Sequence, residues 1–395
     1  MKEGWEYKKL GDFCRKGKNI KWDDQTNDTS FRYIDLTSVD RNDLCIHNPQ
    51  IITKDNAPSR AKQIIQAGDI IFATTRPTLR RVSLIDEQYD GDICSTGFCV
   101  LRPNKEVKSK IIFYALLNDS FYKYIESLQT GANYPAVTDS IVKNYIILVP
   151  PLSEQQSIVD YLDSAFAKID AMKANAEKAL NEAKALFQAS LKEMLEPKEG
   201  WEEKELKDIV DTKCPISYGI VQQGDHVDGG IPVVRPVDLY RKYITSSNLK
   251  CTTQSISYSY KRTILRGDEI LLGVRGTTGL VGIATEELKG SNVNRGIVPL
   301  FFKDGIYRDF IYYEMLSPAM QSVFAEKTTG ATLKQINIKD LRTISFSYPV
   351  FEVQQSIVTT LDSLKSKVDR LQENYDKISQ ECDALKQAIL RQVFE

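Results

Sequence analysis

The stretch Gln155-Gln156-Ser157-Ile158-Val159 returns unchanged as Gln354-Gln355-Ser356-Ile357-Val358. Further motifs recur around it in the same order. They are Gly4–Leu10 with Gly200–Leu206, Gly68–Ile71 with Gly267–Ile270, Thr130–Ala132 with Thr329–Ala331, and Leu162–Ser164 with Leu361–Ser363. Shared order and spacing indicate an internal duplication, so the 395 residues form two copies of one plan.

Each copy begins with a segment of mixed character, which we call a head. Head one covers residues 1–151 and head two covers 198–350. Helical spacing predicts a helix around 110–128 and another around 307–327. Short apolar runs predict strands at 70–73, 98–101 and 145–149 in head one and at 270–274, 297–302 and 344–346 in head two. We therefore expect two heads of mixed α/β (α+β) structure.

A long helix is predicted after each head, over residues 152–197 and 351–395. Ser153 and Gln156 resemble a capping box at the start of the first helix, and Pro197 ends it. Its apolar positions are Ile158, Leu162, Phe166, Ile169, Met172, Ala176, Leu180, Ala183, Leu186, Leu191 and Met194. Those of the second helix alternate steps of four and three, which is a coiled-coil period: Ile357, Leu361, Leu364, Val368, Leu371, Tyr375, Ile378, Cys382, Leu385 and Ile389.

Each long helix needs a partner, because alone it would expose its apolar stripe to water. The two helices are similar in length and belong to the same chain, which favours an antiparallel coiled coil between them. Such a pair would relate the heads by a pseudo-twofold axis and would measure a distance. The alternative is that the chain forms homodimers through each helix.

The composition excludes several classes of protein. Hydrophobic residues make up 42% and charged residues 27%, which is an ordinary globular balance. The sequence has no apolar run of membrane-spanning length and no signal-peptide core after Met1, so we expect a cytoplasmic protein. Seven cysteines without a repeating spacing and two histidines predict neither a disulfide framework nor a metal site.

Sequence motifs for catalysis are missing. The chain carries no Walker A loop, no dinucleotide-binding fingerprint and no hydrolase or kinase signature. Gly273–Gly279 is glycine-rich but has no Lys-Ser/Thr pair, and Val149–Leu152 has two prolines without the Asn or Asp of an amino-methyltransferase motif. Asp69 and Asp268 follow equivalent glycines and are interpreted as turn residues. We expect no enzyme activity and no cofactor in this chain itself.

These motifs together resemble the specificity subunit of type I restriction-modification systems, over essentially the whole chain. The match lies in the Trp-x-x-x-x-Leu start of each head, the Gly-Asp-x-Ile strand, the Thr-Gly-Ala turn and the Gln-Gln-Ser-Ile helix entry. The resemblance implies that each head is a target-recognition domain for one half of an asymmetric, two-part site on double-stranded DNA. It implies that the paired helices fix the unread spacer between the halves.

The resemblance also implies partners. The chain would join two modification subunits, which are adenine methyltransferases and bring S-adenosylmethionine. Two restriction subunits, where present, would add ATP- and Mg-dependent translocation and cleavage. The net charge of −1 is unusual for a lone DNA-binding chain, because phosphate neutralisation supplies much of the affinity. Part of the phosphate contacts is therefore expected from the partners.

The residues between the repeated motifs differ most at 74–81 against 273–279, which suggests one scaffold with two recognition loops. Arginine pairs well with guanine, and asparagine or glutamine with adenine, while lysine and hydroxyls suit phosphate. A second set of candidates is Arg32, Tyr33 and Arg235, whereas Trp5 and Trp201 are expected to be core anchors. The predicted DNA-binding residues are Arg76, Arg80, Arg81, Asn133, Tyr134 and Lys143 in head one, and Arg275, Thr277, Thr278, Arg295, Lys334 and Gln335 in head two.

Two other functions stay open on the sequence alone. A coiled-coil scaffold would bind proteins through its heads and would not bind DNA. A self-sufficient methyltransferase would transfer a labelled methyl group from S-adenosylmethionine without partners.

Replacing Arg275 by alanine tests the recognition hypothesis. If Arg275 reads a base, Arg275→Ala weakens binding to the cognate site by about 1–3 kcal/mol and relaxes specificity at that position. Binding titrations against cognate and random duplexes measure the effect. Equal weakening on both duplexes would show a phosphate contact instead.

Overall fold

The computed structural model describes residues 4–26, 28–331 and 333–395. It divides the chain into two compact units, Met1–Ala176 with Tyr375–Glu395, and Glu177–Asn374. We call them unit 1 and unit 2. Each unit contains one head and the adjoining parts of both long helices, so the expected fold class is confirmed: two mixed heads and two long paired helices.

Head one is built from short strands followed by helices. Its helices are α1 (Ser109–Leu117), α2 (Asp119–Leu128) and α3 (Asp139–Asn144), and the long helix α4 (Leu152–Leu195) follows. Its strands are β1 (Glu6–Lys9), β2 (Cys14–Arg15), β3 (Lys18–Asn19), β4 (Phe31–Ile34), β5 (Gln50–Ile52), β6 (Ala61–Ile64), β7 (Ile70–Ala73), β8 (Val82–Leu84), β9 (Ile93–Ser95), β10 (Phe98–Pro103) and β11 (Ile146–Val149). They form sheets of order β2-β10-β7-β8, β3-β6-β9-β4-β5 and β1-β11.

Head two repeats this plan with local differences. Its helices are α5 (Leu206–Ile209), α6 (Gln254–Ser259), α7 (Arg308–Leu316), α8 (Pro318–Lys327) and α9 (Ile338–Arg342), followed by the long helix α10 (Phe351–Phe394). Its strands are β12 (Glu202–Glu205), β13 (Ile231–Val234), β14 (Tyr243–Ile244), β15 (Lys250–Thr252), β16 (Ile270–Gly273), β17 (Val281–Ala284), β18 (Asn292–Val293), β19 (Ile297–Leu300), β20 (Thr328–Thr329), β21 (Gln335–Ile336) and β22 (Ser345–Tyr348). The sheets are β14-β17-β16-β19, β15-β13-β18, β12-β22 and β20-β21.

The central strands show that both heads share one frame. β7 pairs antiparallel with β10, and β16 pairs in the same way with β19. β4 runs parallel to β9, and β13 runs parallel to β18. Every residue of β7 and of β16 is buried, which explains why the sequence marks these strands as continuous apolar runs. The heads differ where head one has β6 and head two has helix α6.

The prediction of one helix over 110–128 and one over 307–327 is wrong in one respect, because the structure has two consecutive helices in each range. Asn118 separates α1 from α2, and its side chain accepts a hydrogen bond from the Ser120 backbone. Ser317 separates α7 from α8 and caps α8 at Met320, with Pro318 at the first helical position. Capping residues inside an apolar pattern therefore end one helix and begin the next.

The long helices pair antiparallel within each unit. In unit 1, Lys386 contacts Asp170 at 2.5 Å and Lys173 contacts Asp383 at 3.5 Å, so residue numbers fall along α10 as they rise along α4. In unit 2, Lys184 Nζ donates to Gln372 Oε1 at 2.8 Å. The expected pairing of the two helices is confirmed.

Three apolar positions predicted for the helix seam are wrong. Met172, Leu186 and Leu385 are 58%, 59% and 47% exposed. Phe187 is buried in place of Leu186 because α4 there packs against head two, with the Phe187 ring 6.4 Å from that of Tyr313 on α7. The capping box at Ser153 is also wrong, since α4 already begins at Leu152 after two prolines.

The repeated glutamine that opens each long helix ties it to the preceding head. Gln155 is fully buried; its Oε1 accepts from Lys108 N at 2.7 Å, and its Nε2 donates to the carbonyls of Glu106 and Pro150 at 3.0 Å each. Gln354 repeats the arrangement with Tyr307 N at 2.7 Å, and with the carbonyls of Gly305 and Pro349. A buried amide with all these partners joins head and helix at a defined angle.

The repeated aspartate about two helical turns further on adds a second tie. Asp163 accepts hydrogen bonds from Tyr114 Oη at 2.6 Å and Lys110 Nζ at 2.5 Å, both on α1. Asp362 accepts from Tyr313 Oη on α7 and from Lys242 Nζ. These ties explain why the Gln-Gln-Ser-Ile-Val and Leu-Asp-Ser motifs are duplicated.

Each head core includes part of the long helix that follows the other head. In unit 1, Leu390, Val393 and Phe394 at the end of α10 belong to the core of head one, which also contains Trp5. In unit 2, the end of α4 with Leu191 and Leu195 belongs to the core of head two. Trp5 is 6% exposed and Trp201 packs on Phe310 with ring centroids 5.8 Å apart, so both are core anchors as predicted.

Glu314 on α7 makes unit 2 sensitive to pH. Burial raises the pKa of this carboxyl from 4.5 to about 8, and only the Ser347 backbone hydrogen bond opposes the shift. Its Oε2 has no hydrogen-bond partner within the described ranges. Because the folded state holds the proton more tightly than the unfolded state, the contribution of Glu314 to stability is fully present below about pH 4.5 and is lost as the pH rises to about 8.

We predict that Glu314→Gln removes this pH dependence. Between pH 6 and pH 8.5 the free energy of unfolding of the wild-type chain should fall by about 2–3 kcal/mol more than that of the variant. Urea denaturation of the full chain at both pH values measures the difference. Glu203→Gln, an exposed change in the same unit, is the control, and identical pH dependence of Glu314→Gln and wild type would contradict the prediction.

Candidate nucleic-acid interface

Two loops meet in head one through backbone hydrogen bonds. We call residues 74–81, after β7, loop A and residues 130–136, after α2, loop B. Arg76 N donates to Pro135 O at 2.7 Å, and Val137 N donates to Thr74 O at 2.9 Å. Thr75 and Ala136 form an isolated antiparallel bridge. The loops are therefore held by main-chain groups, which leaves their side chains free to differ.

Head two joins its loops in the same way. Here loop A is residues 274–280, and loop B is residues 329–331 and 333–335. Gly276 N donates to Lys334 O at 2.9 Å, and Ile336 N donates to Val274 O at 2.9 Å. Arg275 forms the antiparallel bridge with Gln335. The frame is thus common to both heads.

These hydrogen bonds correct the alignment of the two loops. Arg275 takes the place of Thr75, and Gly276 takes the place of Arg76, so the two arginines are not equivalent. The shift comes from one extra residue before β16. The buried carboxylate at the start of the strand is Asp69 in head one, where it binds Arg102 at 2.7 Å, and Glu269 rather than Asp268 in head two. Glu269 accepts backbone N–H groups of Arg266, Gly267 and Asp268.

The Thr-Gly-Ala motif of each loop B is a turn that requires glycine. Gly131 has φ +98° and Gly330 has φ +101°. A Cβ would lie 2.8 Å from the Tyr134 carbonyl oxygen at Gly131, and 2.4 Å from that of Leu333 at Gly330. Both conformation and space therefore exclude a side chain at this position.

Loop A and loop B of head one bring Arg76 and Tyr134 together at the surface. The Arg76 guanidinium lies 4.9 Å from the centre of the Tyr134 ring. Tyr134 is 70% exposed, and Asn133 beside it is exposed as well. These three predicted residues share one exposed surface, which we call the paired-loop surface of head one.

The other two arginines of loop A are engaged within the head. Arg80 contacts Asp119 at 2.6 Å and covers the Tyr122 ring at 4.4 Å. Burial raises the pKa of the Tyr122 phenol, and the nearby Arg80 partly offsets this. Arg81 donates from Nη1 to the Leu36 carbonyl. Both arginines thus make contacts that hold loop A in place, and their predicted contact with DNA stays a prediction.

Lys143 does not join the paired-loop surface. It lies on α3, where it faces Asp139 at 3.9 Å and where its Cβ and carbonyl flank Gly11. Of the second set of candidates, Arg32 is paired with Asp92 at 2.6 Å and Arg235 with Asp238 at 3.0 Å, while Tyr33 is buried. These contacts are internal to their heads.

The predicted residues of head two gather at its own loops. Thr277 and Lys334 are exposed, and Thr278 Oγ1 lies 2.9 Å from Thr328 Oγ1 at the base of loop B. Arg295 is half-buried beside Gly296, whose carbonyl accepts from Val274 N at 2.8 Å. The Arg275 Nε is buried without a hydrogen-bond partner among the residues the structure describes.

Leu333 in loop B of head two is 44% exposed and was not among the residues predicted from the sequence. It stands in the place of Tyr134, since each precedes the residue whose carbonyl accepts from loop A. The repeat spacing alone contained this signal. Asp119 and Tyr122, which hold Arg80, gave no sequence signal because their pairing depends on the tertiary fold.

Two general properties of the described residues bear on chemistry. No helix there combines the length and apolarity needed to cross a membrane. No group of three or more His, Cys, Asp or Glu side chains in the described ranges is placed to hold a metal ion.

Comparison with known proteins gives a consistent result. The family model described as "Type I restriction modification DNA specificity domain" matches residues 2–182 and again 198–380. Among curated relatives, the EcoBI specificity subunit of Escherichia coli is 25% identical over 320 residues, 75% of this chain and 67% of that protein. The EcoKI specificity subunit of Escherichia coli K12 is 24% identical, over 85% of this chain and 76% of that protein.

Solved structures agree with the family match. The HsdS subunit from Thermoanaerobacter tengcongensis superposes with a TM-score of 0.61 at 27% identity, covering 100% of this chain and 97% of that one. A chain from a study of complex assembly and conformational transition of the type I R-M system reaches a TM-score of 0.82, also at 27% identity, covering 98% and 97%.

Alanine substitutions at two glycines of head two test the geometry of the paired loops. An unfavourable φ alone costs about 1–3 kcal/mol. Gly330→Ala should lower the free energy of unfolding by more than this, because its Cβ also meets the Leu333 carbonyl oxygen. Gly276→Ala is the matched control, since its φ is +84° and the space around it is open. Urea denaturation compares the two, and equal losses would refute the close contact.

Proposed function

The chain belongs to the family of type I restriction modification DNA specificity domains, and from this premise we propose that it is the DNA-reading subunit of a type I restriction-modification complex. Each head reads one half of an asymmetric, two-part site on double-stranded DNA. One observation carries the proposal: the same main-chain frame presents Arg76, Asn133 and Tyr134 in head one but Thr277, Leu333 and Lys334 in head two.

Different side chains on one frame are suited to different base sequences. Arginine and asparagine offer paired hydrogen bonds to base edges, and leucine offers an apolar contact to a thymine methyl group. Arg275 and Gln335 lie at the junction of the two loops in head two, and Arg295 follows strand β18. We propose that these three residues, together with the exposed loop residues named above, contact DNA. We assign Arg80 and Arg81 to holding loop A.

We place the chemistry on partner subunits. Two modification subunits carry S-adenosylmethionine and methylate adenine, and restriction subunits, where present, use ATP and Mg²⁺. The chain itself selects the sequence and is not an enzyme. The relatives that support this are named specificity subunits. The net charge of −1 supports partners that supply additional phosphate contacts.

The decisive experiment maps methylated adenines in DNA modified by the complex of this chain with its modification subunits. We expect two specified half-sites separated by unread base pairs, and binding that weakens as salt rises. Replacing Thr277 and Leu333 together by alanine should relax one half-site and leave the other unchanged. Purified chain alone should transfer no methyl group. Methylation without sequence preference, or binding without salt dependence, would refute the proposal.

A further inference from the structure

Loop A of head one holds two arginines in left-handed backbone conformations. Arg76 has φ +49° and Arg80 has φ +57°. In head two the same places are taken by Gly276 at φ +84° and Gly279 at φ +83°. Main-chain hydrogen bonds establish this equivalence. Ala73 N donates to the carbonyl of Arg81, which follows Arg80, and Gly273 N donates to the carbonyl of Leu280, which follows Gly279.

A left-handed conformation is unfavourable for arginine and nearly free of cost for glycine. Head two shows that two glycines, three residues apart instead of four, build a loop one residue shorter on the same frame. Because glycine would suit these two backbone positions better, we look for the role of the two arginines in their side chains. Strain of this kind points to a functional side chain.

The side chain of Arg80 is accounted for inside the head. It binds Asp119 at 2.6 Å and stacks on Tyr122. Asp119 is fixed in turn, because its backbone N–H donates to Gln387 Oε1 of α10 at 2.9 Å within unit 1. Arg80 thus connects loop A to the long helix and holds it in position.

The side chain of Arg76 is not accounted for in this way. It is exposed, and its guanidinium lies 4.9 Å from the centre of the Tyr134 ring. Among the residues that the structure describes, this ring is the contact found for the guanidinium. A planar fork of N–H donors at the surface matches a ligand that offers two acceptors side by side.

We propose that Arg76 is the specificity-determining residue of head one and that it reads a guanine through O6 and N7 in the major groove. Tyr134 and Arg80 are its positioning residues. Gly276 offers no side chain at the equivalent place, so the half-site read by head two does not depend on a guanine there. The inference rests on the proposed function and adds the base and the residue.

The test uses the full chain together with its modification subunits. Binding to a random-sequence duplex library first identifies the preferred site. Each guanine of that site is then replaced in turn by 7-deazaguanine, which lacks the N7 acceptor. Wild-type protein should lose about tenfold or more in affinity at one guanine of one half-site. Arg76→Gly should show no loss at that guanine, and its affinity for the other half-site should be unchanged.

Stability provides the second readout. Arg76→Gly relieves the backbone strain, so the variant should unfold at the same or a higher urea concentration than wild type. Asn48→Gly is the matched control, because Asn48 is exposed with φ +47°. Asn48→Gly should also unfold at the same or a higher urea concentration than wild type, and its base preference should be unchanged.

Tyr134→Leu introduces the residue that head two has at this place. This variant should discriminate less between guanine and 7-deazaguanine, without a change in stability.

Three outcomes would overturn the inference. They are a guanine preference that survives Arg76→Gly, early unfolding of that variant, and weakening that is equal on selected and random duplexes. The last would make Arg76 a phosphate contact. If wild-type protein shows no base preference at all, the proposed function itself fails, which is a distinct result.

Discussion

Each half of this molecule depends on one buried side-chain amide. Gln155 and Gln354 are fully enclosed, and each binds two main-chain groups of the loop before a head helix and one carbonyl before its own long helix. A buried amide without partners is costly, so the side chain is accommodated only when head and helix meet in this geometry. The aspartates at 163 and 362 then fix the rotation of the head helix on the long helix.

A head that is fixed in this way can vary its surface without losing its fold. Loop A and loop B of each head are joined by peptide groups, and a glycine with positive φ makes the turn in each loop B. None of these contacts depends on which side chains face outward. The main-chain contacts that join the loops are therefore independent of the side chains on the paired-loop surface, whereas the side chains of Arg80 and Arg81 are part of the support in head one.

The sequence predicted the parts of this structure that repeat or that follow a period. The duplication located both heads, the buried strands β7 and β16 stood out as apolar runs, and the antiparallel helix pair followed from the apolar stripe. The prediction that Met172 and Leu186 lie in the helix seam was wrong, because both are exposed. A stripe of apolar residues in the sequence does not show where a helix changes its packing partner.

The candidate site was only partly predictable. Residue type and loop position selected Arg76, Asn133 and Tyr134, which lie together on an exposed surface. They did not show that Arg80 and Arg81 are engaged internally, because Asp119 and Leu36 approach them only in the folded head. The one-residue shift between the loops was also hidden, since only main-chain hydrogen bonds reveal that Arg76 corresponds to Gly276. The roles of these residues on DNA stay predictions.

The core of head one draws on Leu390, Val393 and Phe394, whereas the core of head two ends at Val368. The order of synthesis and the order of completion are therefore reversed. The head that leaves the ribosome first must wait, with part of its apolar interior uncovered, until the last turns of α10 have been made. Head two, although translated later, has every segment of its core available sooner. A nascent chain of this kind thus exposes part of the apolar core of its N-terminal head until translation is nearly complete.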